Sequence, residues 1–183
     1  MNKLAYLLLL TLVAAHGSGP RATSHLDSSA AWATVPRRDA VSLRPVHWTV
    51  VGGSGARELP LGRTVPITLQ ADIARGWHIY SLTQKSGGPI PLRIDLLLPT
   101  EIVVRGLIKA PKPERAFDKN FGIETELYSG SPRFVVPIGV VGKSATGIRK
   151  FQIGARYQVC SDKVCLPPRT DTLAAAIRIA GRK

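Results

Sequence analysis

The chain has 183 residues, with 25 Lys and Arg against 12 Asp and Glu, a net charge of +13, and two cysteines. The basic residues are scattered singly or in pairs such as Arg37-Arg38 and Arg149-Lys150, and aromatics are few. That pattern argues against a nucleic-acid partner and leaves a solvated basic surface, or one drawn to anionic lipid headgroups or an acidic protein.

Met1-Asn2-Lys3 is a short positive start, Leu4 to Ala15 is apolar, and small residues follow to Gly19. This is the layout of a secretory signal peptide, expected over residues 1–20. The apolar run is shorter than the about 20 residues a membrane span needs, and no later segment reaches that length. Residues 21–45 read as a tether rich in Ser, Ala, Arg, Asp and Pro, with Trp32 and Val35 as its large apolar residues past Leu26. Residues 46–183 are expected to form one domain with its own core.

The pattern is β from Val46 onward. Val65, Ile67, Leu69, Ala71 and Ile73 alternate with mostly polar neighbours, as do Leu92, Ile94, Leu96 and Leu98. The same period runs through Phe151, Ile153, Ala155, Tyr157 and Val159, and through Leu173, Ala175, Ile177 and Ile179. A two-residue period puts each set on one face of a half-buried strand. Turn signals separate the strands at Gly52-Gly53, Gly87-Gly88-Pro89, Ser129-Gly130-Ser131-Pro132 and Gly142. No stretch carries a helical period of useful length, so an all-β sandwich is predicted. Pro111 to Gly130 stands apart as a charged, turn-rich loop carrying Phe117, Phe121 and Tyr128.

Cys160 and Cys165 lie in the run Tyr157-Gln158-Val159-Cys160-Ser161-Asp162-Lys163-Val164-Cys165-Leu166-Pro167-Pro168. In an oxidising compartment two cysteines this close are expected to pair. A disulfide restrains the unfolded chain more the longer the loop it closes, so this short loop stabilises less than one joining distant strands. That leans towards chemistry, while short-range disulfides also pin hairpins; both readings stay open on spacing alone. Lys163 would favour a thiolate and Asp162 oppose it, with a plain polar turn as the simpler reading. Pro167 and Pro168 remove two backbone donors and stiffen the exit.

Other chemistries fit poorly. Of the four histidines, His16 falls in the leader and His25 in the tether. His47 and His78 are more often satisfied strand histidines than bases. Zinc sites bring four ligands at tighter spacing, and a protease cysteine would stay free beside a His. There is no phosphate loop, dinucleotide fingerprint or carboxylate pair. No cofactor and no metal is expected, and Met1 as the one methionine excludes a thioether copper site.

From about Val46 to Ile179 the chain resembles the N-terminal periplasmic domain of the DsbD thiol:disulfide interchange proteins. Four motifs in order carry the resemblance: Gly76-Trp77-His78-Ile79-Tyr80-Ser81, Gly88-Pro89 before the Leu92 strand, Phe117-Asp118-Lys119-Asn120-Phe121-Gly122 with Tyr128 beyond, and the cysteine run. The resemblance implies an immunoglobulin-like β-sandwich with a cap loop over a two-cysteine redox site. It implies that Cys160 and Cys165 cycle between dithiol and disulfide, with Cys165 forming the mixed disulfide and Cys160 resolving it. Asp118 to Tyr128 would include the cap, with Phe121 or Phe117 as the shielding ring, and His78 and Tyr80 would approach the cysteines from a neighbouring strand.

The implied role is an exported relay, in the setting of cytochrome c biogenesis. It would take electrons from a thioredoxin-like or membrane donor protein and pass them to periplasmic disulfide-containing acceptors, working as a monomer. Full-length members continue into a membrane electron channel and a thioredoxin-like domain. With the sequence closing at Lys183, the expectation is a stand-alone version whose donor is another polypeptide. The alternative from another class is an exported β-sandwich binding or assembly module whose disulfide is purely structural.

Overall fold

A computed structural model describes residues 44–52, 56–142 and 144–181. The expected signal peptide and all of the expected tether before Arg44 lie outside the described residues.

The described chain contains no helix and is an immunoglobulin-like β-sandwich of twelve strands. These are β1 (Val46–Val50), β2 (Arg57–Pro60), β3 (Thr64–Ile73), β4 (Trp77–Tyr80), β5 (Arg93–Leu97), β6 (Ile102–Val104), β7 (Glu114–Asp118), β8 (Ile123–Tyr128), β9 (Arg133–Val140), β10 (Gly147–Tyr157), β11 (Val159–Ser161) and β12 (Arg169–Ala180). They form three four-stranded sheets, in the orders β1-β3-β9-β6, β2-β12-β10-β5 and β11-β4-β8-β7. Every pairing is antiparallel except that of β2 with β12.

The first two sheets supply the core. The alternation in β3, β10 and β12 turns Ile67, Leu69 and Ala71, then Ile153 and Ala155, then Ala175 and Ile177 inward, and all are buried. Trp48 on β1 bridges the layers, with ring centroids 5.6 Å from Phe134 on β9 and 5.9 Å from Tyr157 on β10. The Tyr157 hydroxyl donates to Asp171 at 2.6 Å, which satisfies the polar end of an otherwise apolar side chain.

The third sheet is reached from both layers. After β3 the chain turns at Ala74-Arg75-Gly76, where Gly76 has φ +79° and the Trp77 N–H donates to the Ala74 carbonyl at 3.0 Å. From β10 it passes into β11 across Gln158 alone, whose side-chain oxygen accepts the Ile90 N–H at 3.1 Å. The alternation read through Val159 therefore spans two sheets.

The segment read as a turn-rich loop is a hairpin. Its strands β7 and β8 pair from Glu114 opposite Leu127 to Asp118 opposite Ile123, and the loop shrinks to residues 119–122. β7 is an edge strand exposed at every position but Asp118. It has no apolar period, so the sequence pattern could not distinguish it from a loop.

Candidate functional site

Cys160 and Cys165 form a disulfide. They face each other across a tight hairpin closed by Ser161 N–H to Val164 O at 2.8 Å and Leu166 N–H to Val159 O at 2.9 Å. The Ser161 hydroxyl oxygen also accepts the N–H groups of Lys163 and Val164, at 3.3 and 3.2 Å. This Ser-initiated turn is a local reason for the loop's shape. Cys160 is fully buried and Cys165 only partly so. Asp162 and Lys163 are exposed within the turn.

Strand parity decides which candidate residues meet the disulfide. In the third sheet Cys160 is opposite His78, and Tyr80 is opposite Leu127. Across the hairpin Ile123 is opposite Asp118. Opposed and alternate residues share a face, so Cys160, His78, Tyr80 and Asp118 lie on one side of the sheet. Ile79, Val159 and Tyr128 lie on the other, in the core. Tyr128 is buried there, edge-on to Phe134 at 5.2 Å. Phe117 takes the parity opposite to Asp118 and is 60% exposed.

The gathered residues form a connected polar cluster. The Tyr80 hydroxyl donates to Asp118 Oδ2 at 2.5 Å, and its oxygen is 4.0 Å from Cys165 Sγ. His78 Nε2 lies 3.4 Å from the Tyr80 hydroxyl and 3.8 Å from Asp118 Oδ2. The other Asp118 oxygen accepts the backbone N–H groups of Asn120 and Phe121, at 2.8 and 3.2 Å, and so shapes the hairpin tip. Gly122 completes the tip at φ +69°, where a side chain would be strained. The Phe121 ring stands edge-on to Tyr80 at 6.1 Å. Of the two rings expected to shield the site, Phe121 reaches the cluster and Phe117 faces solvent.

The electrostatics follow from this packing. Burial pushes the Tyr80 hydroxyl far above its usual range, with the Asp118 hydrogen bond and charge adding to it, so Tyr80 stays a donor. For Asp118, burial works to raise the carboxyl. The hydrogen bonds from Tyr80, Asn120 and Phe121, with the His78 ring beside them, outweigh that and hold it below its ordinary value. Burial lowers His78, against the charges of Asp118 and Asp162. The site therefore holds a neutral imidazole, a neutral phenol and a carboxylate around the disulfide at neutral pH. Among the described residues no group of three or more His, Cys, Asp or Glu side chains is gathered to hold a metal ion.

Two contributors escaped the sequence reading. Asn120, quoted within a motif but assigned no role, donates its side-chain amide to the Ser161 carbonyl at 2.9 Å. Glu126 ties the base of the hairpin together: it accepts from Thr83 Oγ1 at 2.6 Å and pairs with Arg115 at 3.1 Å. Glu126 faces Arg115 directly across β7 and β8, and an opposed Arg–Glu pair is a readable signal once the hairpin register is known.

Solved structures of similar architecture include the DsbD N-terminal domain of Neisseria meningitidis in the reduced form. It is 18% identical, with 73% of this chain and 88% of that one covered and a TM-score of 0.43. Another is the N-terminal periplasmic domain of ScsB from Proteus mirabilis, 20% identical, with 71% of this chain and 44% of that one covered and a TM-score of 0.48. No curated protein sequence matches the chain. Residues 57–177, the greater part of the chain and nearly all of the described sandwich, match the family described as thiol:disulfide interchange protein DsbD, N-terminal. The chain belongs to the family of DsbD N-terminal domains.

Proposed function

We propose that this protein is an exported thiol:disulfide interchange protein of the periplasm. In this reading it relays electrons from a thioredoxin-like or membrane donor to disulfide-containing acceptor proteins through the reversible Cys160–Cys165 bond. The observation that carries the reading is the disulfide's setting: one cysteine buried and the other partly exposed, with a hairpin tip linked to it through Asp118 and Tyr80.

The difference in burial supports an order for the cysteines that the sequence left open. The donor's thiolate attacks the Cys165 sulfur, the Cys165–Cys160 bond breaks, and Cys160 leaves as a thiolate. The resulting mixed disulfide joins donor and Cys165. A second donor thiol then displaces Cys165, so the donor leaves oxidised and the pair is reduced by two electrons. The reduced pair repeats the exchange in reverse on an acceptor disulfide. The Tyr80 hydroxyl stands 4.0 Å from the Cys165 sulfur and His78 is opposite Cys160 in the sheet, while Asp118 holds both Tyr80 and the tip in place. Tyr128 and Phe117 serve this reading only indirectly, as a core support and an exposed face of the hairpin.

The same tight hairpin also suits the other reading, in which the disulfide merely pins a turn of a binding module. The reduction potential separates the two. Mature protein equilibrated in graded thiol–disulfide buffers, with free thiols counted by mass tagging, is expected to give a value well above about −300 mV. A value below that marks a resistant structural bond and rejects the relay.

A further inference from the structure

We propose that Asn120 is the positioning residue that controls access to the disulfide, by latching the hairpin tip to the Ser161 carbonyl. The proposal deepens the relay reading and rests on it for its biological meaning.

The hairpin is fastened unevenly. Its base is held many times over. The Glu126 N–H donates to Gln84 Oε1 at 2.7 Å and the Ser81 N–H donates to the Glu126 carbonyl at 2.8 Å. The Glu126 carboxylate takes Thr83 and Arg115. The strands stay packed up to the last pair before the tip, where a Cβ on Gly88 would lie 2.6 Å from Ile123 Cδ1. The tip is different. Asp118 organises it and accepts from Tyr80 on β4, but that carboxylate accepts no hydrogen bond from the cysteine hairpin. Among the described residues, the Asn120 amide to the Ser161 carbonyl is the one hydrogen bond between residues 118–122 and residues 159–166.

The position of that bond gives it a consequence. Ser161 follows Cys160 directly, and the Cys165 sulfur lies beside Tyr80, whose ring the tip covers through Phe121. While the latch holds, the tip stays over the sulfurs. Once it parts, the tip remains tied to Asp118 and can swing about that residue. Asn120 is exposed, so a docking protein can reach the latch and offer its own donor to the Ser161 carbonyl. A single neutral hydrogen bond of this kind shifts a closed-to-open ratio by roughly 2- to 12-fold. That is enough to slow small thiols and small enough for a partner to overcome.

The test uses the oxidised mature protein and excess dithiothreitol. The reductant's thiolate attacks Cys165, Cys160 leaves as thiolate, and the second thiol of the reagent closes its own ring, so the reagent is oxidised as the pair is reduced. Asn120→Ala is expected to raise the reduction rate by roughly 2- to 12-fold, with the reduction potential nearly unchanged and stability lowered by no more than that one hydrogen bond. Asn120→Gln, which keeps the donor, is expected to recover part of the slow rate. An unchanged rate in Asn120→Ala overturns the latch, as does a reduction rate that rises with denaturant as steeply as the unfolded fraction, which marks global unfolding as the route to the sulfurs. The relay reading fails separately: a wild-type potential below about −300 mV rejects it, while the rate comparison, repeated with a phosphine reductant, still decides whether Asn120 gates the sulfurs.

Discussion

The two-layer sandwich and the third sheet are held together by different physics. Leu69, Phe134, Ile138, Ile153 and Ile177 of the sandwich are all fully buried. The three buried polar residues among the described residues are Ser81, Asp118 and Thr125, and all belong to the third sheet or its flank. Apolar packing is non-directional and adds over many contacts. Hydrogen bonds to a buried carboxylate are directional and are lost one at a time. On the proposed reading the sandwich supplies stability, and the third sheet supplies a shape that changes without unfolding the domain.

The largest expected effect lies in the sandwich. Phe134 packs on both Trp48 and Tyr128, so Phe134→Ala should cost about 3–5 kcal/mol. Chemical denaturation would measure it. The comparison predicts that the native disulfide of this variant, below the unfolding transition, is reduced at nearly the wild-type rate. Acceleration there would mean that core and cap are one cooperative unit.

Asp118 should give the converse result. Removing its carboxylate in Asp118→Ala strips acceptors from the Tyr80 hydroxyl and from two backbone N–H groups. A buried donor left unpaired costs about 1–3 kcal/mol. Two of these donors sit at the exposed tip, where water can replace the lost acceptor, so a total of about 2–3 kcal/mol is expected. The disulfide should meanwhile be reduced much faster than in Phe134→Ala. If the two variants accelerate reduction equally, the division between a stable sandwich and a movable cap fails.

That division also explains what could be read from the chain alone. The long strands of the sandwich were legible because a buried face leaves a period of two in the residues themselves, as in Ile67-Leu69-Ala71 or Phe151-Ile153-Ala155. β7 was not, because an exposed edge strand has no buried face to record. The cysteines, His78, Tyr80 and Asp118 are singled out as candidates by short motifs, and their common face follows from parity once the register is known. Phe121 and Phe117 could not be separated without knowing where the tip turns, since the strand ends at Asp118. The Asn120 latch was invisible for a different reason: an amide meeting a backbone carbonyl far along the sequence leaves no pattern in residue types.

The smallest effect concerns His78, and it tests the contrast with pH. Its imidazole is held below its ordinary value chiefly by burial, with Asp118 and Asp162 opposing. A group with a depressed folded pKa takes up a proton more readily in the unfolded chain, so the unfolded state gains as pH falls below about 6.5. The His78 contribution to stability is thus fully present above that pH and declines as pH falls towards the folded value. The lowered carboxylates of the sandwich, Asp72 and Glu101, begin from ordinary values of 3.8 and 4.5 and act only in more acid solution. Asp118 likewise contributes above its ordinary value of 3.8 and loses that contribution only as pH falls through its lower folded value. The interval from about pH 7 to 5 therefore isolates the third sheet. Thermal midpoints should fall across it in the wild type and fall less in His78→Gln. In Asp118→Asn the fall should steepen, because the charge that favours the imidazolium is gone while burial still opposes it. Equal slopes in all three proteins would show that the imidazole near the disulfide is as well solvated folded as unfolded, and that the third sheet does not exclude water from its sulfurs.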